Sequence, residues 1–318
     1  KEKDKITLEK VLLLNDKNLN HWILSDAILE FGVPDTVYFY EKPLLKKTRQ
    51  LYAGQYHLLK KESPTKHMRK FYKEAPRSIP VSHHLSHAAA GYYTSPFVDA
   101  AILCIDSIGE WETLTIWKAE DNKLTKLHSQ WYPNSIGLWY SAMTQRLGLK
   151  PNEEEYITMG MAAFGEPIYN LENQLWENNH KGCDDIFPNS RLEDLAASVQ
   201  DLYERELLKL VEMCPHKNLV LMGGCALNCV ANSKIKGKNI WIMPSPGDAG
   251  SALPQRAIAR PGGGEFRCAA IPWRYLCLRG HLARGGAAHR INRQGILNCS
   301  EYVGPACWAG MAPMIATS

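Results

Sequence analysis

The sequence predicts an α/β fold whose strands end in loops rich in glycine and carboxylates. The first indication is an unbroken apolar run at residues 100–106 (AAILCID), which is typical of a buried strand. The second is the recurrence of short apolar runs at residues 219–222 (LVLM) and 240–243 (IWIM), each followed closely by glycine. The third is helical periodicity at residues 19–31, which ends near Gly32.

Residues 36–75 follow this first helix and are predicted to hold a short strand and a basic helical segment. The strand covers residues 36–40 and the helical segment residues 43–75. A charge run of this kind is usually a solvated face. The net charge of the chain is only +4. Nucleic-acid binding therefore has little electrostatic support.

Residues 100–118 are predicted to form a unit of strand, turn and strand. The two strands are residues 100–106 and 112–118, and Ser107-Ile108-Gly109-Glu110 is the turn between them. Asp106 stands at the end of the first strand. The unit therefore presents an acidic residue at its tip.

A second unit begins at Leu219 and is likewise predicted to be a strand followed by a turn. Its strand ends at the tight turn Gly223-Gly224, and residues 225–232 are predicted to form a helix of small residues. The strand at residues 240–243 leads into Gly247-Asp248-Ala249-Gly250. Glycines allow backbone N–H groups to approach phosphate oxygens closely, and an aspartate beside them can hold a metal ion. Each piece alone is also compatible with a structural turn or a helix cap.

The run His83-His84-Leu85-Ser86-His87 is the strongest candidate site. On a helix, His83 and His87 lie on one face, so their imidazoles can converge. The alternative is a pair that only packs or lies at the surface. The zinc hydrolase pattern H-E-x-x-H needs a glutamate after the first histidine, where this chain has His84. Imidazoles combined with carboxylates suit iron(II), manganese or zinc, and the residues alone do not choose among them.

Other polar residues near these segments are predicted to be structural. Cys225 and Cys229 lie one helical turn apart and are expected to pack in the core, because cysteine commonly behaves as a small buried hydrophobe. His84 is expected to pack or to lie at the surface. Nine cysteines in a chain with a charged N-terminal segment fit reduced thiols and a cytoplasmic protein. No run of eighteen apolar residues predicts a membrane span.

Six segments occur in order along residues 20–253 and together carry a family resemblance. They are VSHHLSHAAAGYYTSPF, AAILCIDSIGEWETLTIW, SIGLWYSAMTQRLGL, EYITMGMAAFGEP, LVLMGGCALNCVAN and IWIMPSPGDAGSAL. The chain resembles the O-carbamoyltransferases of nodulation-factor and antibiotic biosynthesis. The segment FYEKPLLKKTR, residues 39–49, is also similar to that family.

The resemblance implies a Kae1-like domain with the fold of actin, sugar kinases and the Hsp70 ATPase, in which two RNase-H-like subdomains flank a nucleotide cleft. In the family, a YrdC-like domain makes carbamoyl adenylate from carbamoyl phosphate and ATP. The Kae1-like site then transfers the carbamoyl group to a hydroxyl of a sugar or other small molecule. Such an acceptor is the expected partner, with neither nucleic acid nor a membrane, and homo-oligomerisation is left open.

The resemblance also implies residue roles. His83, His87, Asp106 and Asp248 match the family's metal ligands, with iron(II) as the expected ion; the first three would act in catalysis through the metal. The general base is not assigned. Five residues match nucleotide-binding positions, namely Gly109, Gly223, Gly224, Asn228 and Asp248.

The division of the chain is predicted from its composition. Residues 1–253 correspond to a partial Kae1-like domain whose first strands are expected to be absent, and no segment is predicted to form a YrdC-like domain. Residues 254–318 contain no Lys and no Asp. That tail is interpreted either as a flexible linker to a second basic domain or as the product of a shifted reading frame. Two further functional alternatives stay open: a non-catalytic nucleotide- and metal-binding remnant, and a threonylcarbamoyl-transfer protein.

Overall fold

The computed structural model describes residues 36–60, 69, 77–183 and 186–251 of the 318-residue chain. The helix predicted at residues 19–31 and the tail at residues 254–318 lie outside the described residues, as does most of residues 61–75. Their assignments remain predictions.

Seven strands form two sheets in the described residues. They are β1 (Thr36–Phe39), β2 (Arg77–Pro80), β3 (Ala100–Ile105), β4 (Glu112–Glu120), β5 (Lys123–Trp131), β6 (Asn218–Met222) and β7 (Asn239–Ile242). β1 and β2 pair in parallel. The other five make one mixed sheet in the order β5-β4-β3-β6-β7.

Strand direction in the mixed sheet identifies its topology. β4 pairs antiparallel with both β3 and β5, whereas β3, β6 and β7 pair in parallel. A five-stranded sheet in this order, with its second strand reversed, is the arrangement of an RNase-H-like unit. The predicted α/β class is therefore confirmed, and the described residues contain one of the two RNase-H-like units that the resemblance implies.

Seven α-helices accompany the sheets in the described part of the chain. They are α1 (Pro43–Tyr52), α2 (His83–Thr94), α3 (Ile136–Arg146), α4 (Glu155–Met161), α5 (Glu172–Leu175), α6 (Leu192–Glu212) and α7 (Cys229–Ser233). The longest, α6, has Glu193 and Asp194 in its first turn and Lys209 in its last. These charges complement the dipole of the helix.

The central strand β3 divides the core into two layers. All six of its residues are buried. Leu103 and Ile105 pack with Trp139 of α3 and Leu195 of α6, whereas residues on the opposite face, such as Ile102, pack with the alanines of α2. Since successive side chains of a strand point to opposite faces, α2 covers one face of the sheet and α3 with α6 the other.

Helix α2 lies unusually close to β6. A Cβ atom added at Gly91 would lie 2.5 Å from side-chain atoms of Val220 and Met222. Three consecutive alanines, residues 88–90, are fully buried beside it. The small side chains therefore allow α2 to approach the sheet closely, and this packing sets the distance between the first turn of α2 and the ends of the strands.

Three parts of the predicted secondary structure are wrong or incomplete. Within the described residues 43–60 of the basic segment, the α-helix ends at Tyr52, because Gly54 adopts φ +72° and a 3-10 turn, Tyr56–Lys60, follows. The segment at residues 225–232 is a 3-10 turn and a separate helix, since Asn228 leaves helical geometry. Strand β5 was not predicted, because its largely exposed residues follow no apolar alternation.

Candidate metal centre

Three neighbouring parallel strands bring polar residues to one edge of the mixed sheet. Asp106 directly follows β3, Gly223 directly follows β6, and Asp248 lies in the loop after β7. The N–H of Gly223 donates to the carbonyl of Pro246 at 2.9 Å, which fastens the loop of Asp248 to the end of β6. The carboxyl ends of parallel strands are a common location for ligand sites in α/β proteins.

Helix α2 supplies the two histidines from its first turns. His83 is the first residue of α2, and His87 follows one turn later on the same face, as predicted. Their side chains are 3% and 0% exposed, so neither is a surface histidine. The alternative of a surface pair is therefore wrong.

Four side-chain atoms converge on one point. The Nε2 atoms of His83 and His87 lie 3.0 Å apart, and Nε2 of His83 is 3.0 Å from Oδ2 of Asp106. Oδ1 of Asp248 is 3.3 Å from both Nε2 atoms, and the distance from Nε2 of His87 to Oδ2 of Asp106 is 3.4 Å. All four atoms lie within 4.8 Å of one another.

The spacing and chemistry of these atoms fit a divalent cation. Two ligands of a tetrahedral ion, each about 2.0–2.1 Å from it, are about 3.3 Å apart. The pairs measured from the imidazole nitrogens lie close to that distance. Two imidazoles and two carboxylates also supply the charge of −2 that balances a divalent ion. The predicted ligand set is thus assembled in space, and its role as a metal site is a proposal taken up below.

The electrostatics of this cluster are unusual for a protein interior. Burial by itself lowers the pKa of His87, but hydrogen bonds to Asp106 and Asp248 together with their charges outweigh it and raise the pKa to about 9. Burial also raises the pKa of Asp106, but hydrogen bonds from both imidazoles dominate and hold it well below its usual range. The cluster therefore favours carboxylates facing a positive charge.

Two ring nitrogens on the far side of the imidazoles stand without a protein partner. Among the described residues, Nδ1 of His83 and Nδ1 of His87 are buried and accept or donate no hydrogen bond. A metal-binding histidine usually donates its second N–H to an oxygen. The Nε2 atoms of His83 and His87, in contrast, both point into the cluster.

Three of the predicted nucleotide-binding glycines pack around the same cluster. A Cβ atom at Gly109 would lie 2.9 Å from Cδ2 of His83, and one at Gly224 would lie 3.3 Å from Oδ1 of Asp106. Gly223 adopts φ +87°, and a Cβ atom there would lie 2.1 Å from the carbonyl oxygen of Ile105. These glycines are thus required by the close approach of protein atoms, whatever ligand their N–H groups meet.

Asn228, itself half-buried, is held by a largely buried network that we call the Gln200 network, whose outermost member, Lys234, has a 53% exposed side chain. It consists of Tyr140, Gln200, Glu204, Asn228 and Lys234. The amides of Gln200 and Asn228 bond reciprocally, at 3.1 and 3.0 Å, and Oδ1 of Asn228 also accepts the N–H of Ala231. Both functional groups of the Asn228 side chain are therefore engaged inside the protein.

Two residues beside the cluster were missed by sequence reasoning. The carboxylate of Glu110, only 4% exposed, accepts hydrogen bonds from the backbone N–H groups of His83 and Lys42. The ring of Tyr40 lies 5.7 Å from that of His83. The pKa of Tyr40 is raised by burial and then by the charges of Asp248, Glu41 and Asp106, so its phenol stays protonated and can donate a hydrogen bond. Glu110 had a weak signal, since it ends the turn after Asp106.

Of the residues predicted to be structural, His84 is buried, whereas Cys225 and Cys229 are half-buried. His84 is fully buried, and its Nδ1 lies 3.0 Å from Oγ1 of Thr115 on β4. Burial lowers the pKa of His84 and keeps its ring neutral. Burial likewise raises the pKa of the Cys225 thiol, which packs against the core. Packing is thus confirmed for both residues.

A comparison with protein families identifies the chain. The family model described as "Carbamoyltransferase N-terminus" matches residues 36–255, more than half of the 318 residues. The chain belongs to this carbamoyltransferase family. All four residues of the cluster and all three glycines lie inside the matched range, as does Asn228.

Curated relatives agree with that assignment. An uncharacterized protein of Synechocystis is 39% identical over 223 residues, covering 57% of this chain and 36% of that protein. Nodulation protein NolNO of Sinorhizobium fredii is 30% identical over 203 residues, covering 54% of this chain and 30% of that protein. The chain therefore spans about a third of the length of the curated relatives it matches.

Solved structures give more distant similarities. Component A of the (R)-2-hydroxyglutaryl-CoA dehydratase of Acidaminococcus fermentans superposes with a TM-score of 0.41 and 16% identity over 58% of this chain and 71% of that one. An Alp12 filament structure gives a TM-score of 0.33 and 12% identity, covering 58% of this chain and 55% of that one.

None of the helices in the described residues combines the length and the apolar character needed to cross a membrane.

Proposed function

We propose that this chain provides the carbamoyl-transfer domain of an O-carbamoyltransferase, which moves a carbamoyl group from carbamoyl adenylate to a hydroxyl of a sugar or natural product. The observation that carries this proposal is the convergence of His83, His87, Asp106 and Asp248 within a chain that belongs to the carbamoyltransferase family. In the full family, carbamoyl phosphate and ATP supply the adenylate.

In the proposed reaction, the acceptor hydroxyl oxygen attacks the carbamoyl carbon of the mixed anhydride. The new carbon–oxygen bond forms as the bond from that carbon to the phosphate oxygen breaks, AMP leaves, and the hydroxyl proton passes to solvent or to a base that is not assigned. No side chain needs to act as a nucleophile. The chain's task is to hold both reactants in a near-attack arrangement.

His83, His87, Asp106 and Asp248 would hold a divalent ion, with iron(II) our proposal for its identity. When bound, such an ion supplies a positive charge that stabilises negative charge developing on phosphate and carbonyl oxygens. The protein adds fixed donors beside it. The backbone turn at Gly223 and Gly224 lies against Asp106, and helix α3 begins next to the same residue, since a Cβ at Gly137 would lie 2.6 Å from the Asp106 carbonyl oxygen. Because the N–H of Gly223 already bonds to the carbonyl of Pro246, the N–H groups proposed to meet phosphate are those of Gly224 and of the start of α3.

The test supplies carbamoyl adenylate and a panel of hydroxylated acceptors to the purified, metal-loaded chain. The expected result is an acceptor that gains the mass of one carbamoyl group, with at least a hundredfold loss of rate in His87→Ala and Asp106→Asn. His128→Ala is the matched control, because His128 lies exposed on β5. No product with any acceptor would overturn the transfer proposal and favour the non-catalytic remnant.

A further inference from the structure

Glu110 connects two segments that border the candidate metal centre. Both of its carboxylate oxygens lie 3.1 Å from the N–H of His83, the first residue of α2. Oε1 also accepts the N–H of Lys42 at 2.7 Å, just before α1 begins. One buried carboxylate thus joins the start of the ligand-bearing helix to the segment that follows β1.

The segment held by Glu110 carries Tyr40, whose ring faces that of His83 at 5.7 Å. Trp111, the residue after Glu110, reinforces the same connection, because its indole N–H donates to Oγ1 of Thr48 on α1 at 3.2 Å. Hydrogen bonds at Glu110 and Trp111 therefore connect the turn after β3 both to α1 and to α2. These hydrogen bonds therefore position both the backbone of His83 and the segment that carries the Tyr40 ring.

The charge of Glu110 also requires an explanation. It is 4% exposed, yet no lysine or arginine side chain in the described part of the chain forms an ion pair with it. The same holds there for Asp106 and Asp248, whose ion-pair partners are the two histidines. Three carboxylates beside two imidazoles leave an excess of negative charge in a buried region. Burying unpaired charge is costly, and a nearby cation reduces that cost.

From these contacts we propose that Glu110 is a positioning residue for the candidate metal centre: it fixes the backbone of His83 and the Tyr40–Lys42 segment in one arrangement and so increases the affinity of the four ligands for a divalent cation. This inference rests on the proposed function, since it needs the cluster to bind metal. Groups that orient metal ligands from outside typically change metal affinity about 10–100-fold.

The experiment titrates the purified, metal-stripped chain with Co²⁺ and Zn²⁺ and measures dissociation constants from visible absorption and chelator competition. Glu110→Gln should weaken binding about 10–100-fold, because the amide has lost the charge and its NH2 group cannot accept the hydrogen bond that the second carboxylate oxygen accepts from the N–H of His83. Glu110→Asp keeps the charge but is one methylene shorter and cannot reach both N–H groups. It should also bind more weakly than the unaltered chain.

Glu112→Gln is the matched control. Glu112 is equally buried, two residues further along the chain, and its carboxylate pairs with Lys126. Its replacement should change the dissociation constant less than twofold. Circular dichroism of the metal-free variants establishes that each is folded. If Glu110→Gln does not fold, the dissociation constant of Glu110→Asp tests the inference instead.

The possible results separate the two ideas. If the unaltered chain binds metal and Glu110→Gln binds equally well, the inference is wrong while the metal site stands. If Glu110→Asp binds like the unaltered chain, charge alone acts and positioning is refuted. If the unaltered chain and His87→Ala take up metal equally, the proposed metal function itself fails.

Discussion

The candidate metal centre and the Gln200 network are both buried polar clusters, but they are built in opposite ways. In the Gln200 network, each donor meets an acceptor, and the amides of Gln200 and Asn228 bond to each other in both directions. In the metal centre, the Nε2 atoms of two imidazoles and two carboxylate oxygens face one another. There, the hydrogen bonds depend on protons carried by the imidazoles, and a metal ion could take the place of those protons.

The difference fits a structural role for the Gln200 network and the proposed metal-binding role for the other cluster. A fully satisfied network stabilises a single conformation and has no need of a ligand. A buried cluster with two carboxylates needs positive charge at its centre, which a protonated His87 or a bound cation can supply. The two clusters are also connected along the chain, because the loop that starts at Gly223, beside Asp106, ends at Asn228 in the Gln200 network. The segment from Gly223 to Asn228 thus links the candidate metal centre to the Gln200 network.

The largest expected effect comes from adding metal. Zinc at about a thousand times its dissociation constant should raise the free energy of unfolding by about 4 kcal/mol, because it binds only the folded chain. Urea unfolding with and without zinc measures the increment. It should vanish in His87→Ala and persist in Gln200→Ala, since only the former loses a ligand. An undiminished increment in His87→Ala would remove the distinction between the two clusters.

An intermediate effect is expected from Gln200→Ala. Removing this amide leaves the buried hydroxyl of Tyr140 and the half-buried amide of Asn228 without this partner; at about 1–1.5 kcal/mol each, the free energy of unfolding should fall by about 2–3 kcal/mol. Gln145→Ala, at an exposed position of α3, is the control and should lie within about 0.5 kcal/mol of the unaltered chain. Equal effects of the two substitutions would show that the network contributes nothing.

The smallest effect concerns a thiol that belongs to neither cluster. Burial raises the pKa of Cys214 from 9.0 to about 11, although Lys238 opposes the shift. Between pH 9 and 11 the unfolded chain therefore loses a proton that the folded chain keeps, and stability falls as pH rises, by about 1.4 kcal/mol per pH unit. Cys214→Ala should flatten the measured dependence by that amount. An unchanged slope would contradict the raised pKa.

Sequence reasoning named all four residues that converge in the candidate metal centre but fewer of the residues around them. The spacing of His83 and His87 predicts one helix face, and apolar runs precede both Asp106 and Asp248, but the grouping of all four residues as metal ligands came from the family resemblance. Glu110 could not be assigned in this way, because its partners are backbone N–H groups 27 and 68 positions away. The side-chain engagement of Asn228 likewise depends on Gln200, which lies 28 positions earlier on α6.

Parallel pairing of β3 with β6 has a kinetic consequence for the metal centre. Ala101 pairs with Leu219 and Leu221 with Ile242, so Asp106 and Asp248 meet only after contacts between distant parts of the chain have formed. Closing such long loops is slow and comes late in folding. A bound ion would then stabilise the native state more than the transition state. It would slow unfolding and leave the folding rate almost unchanged.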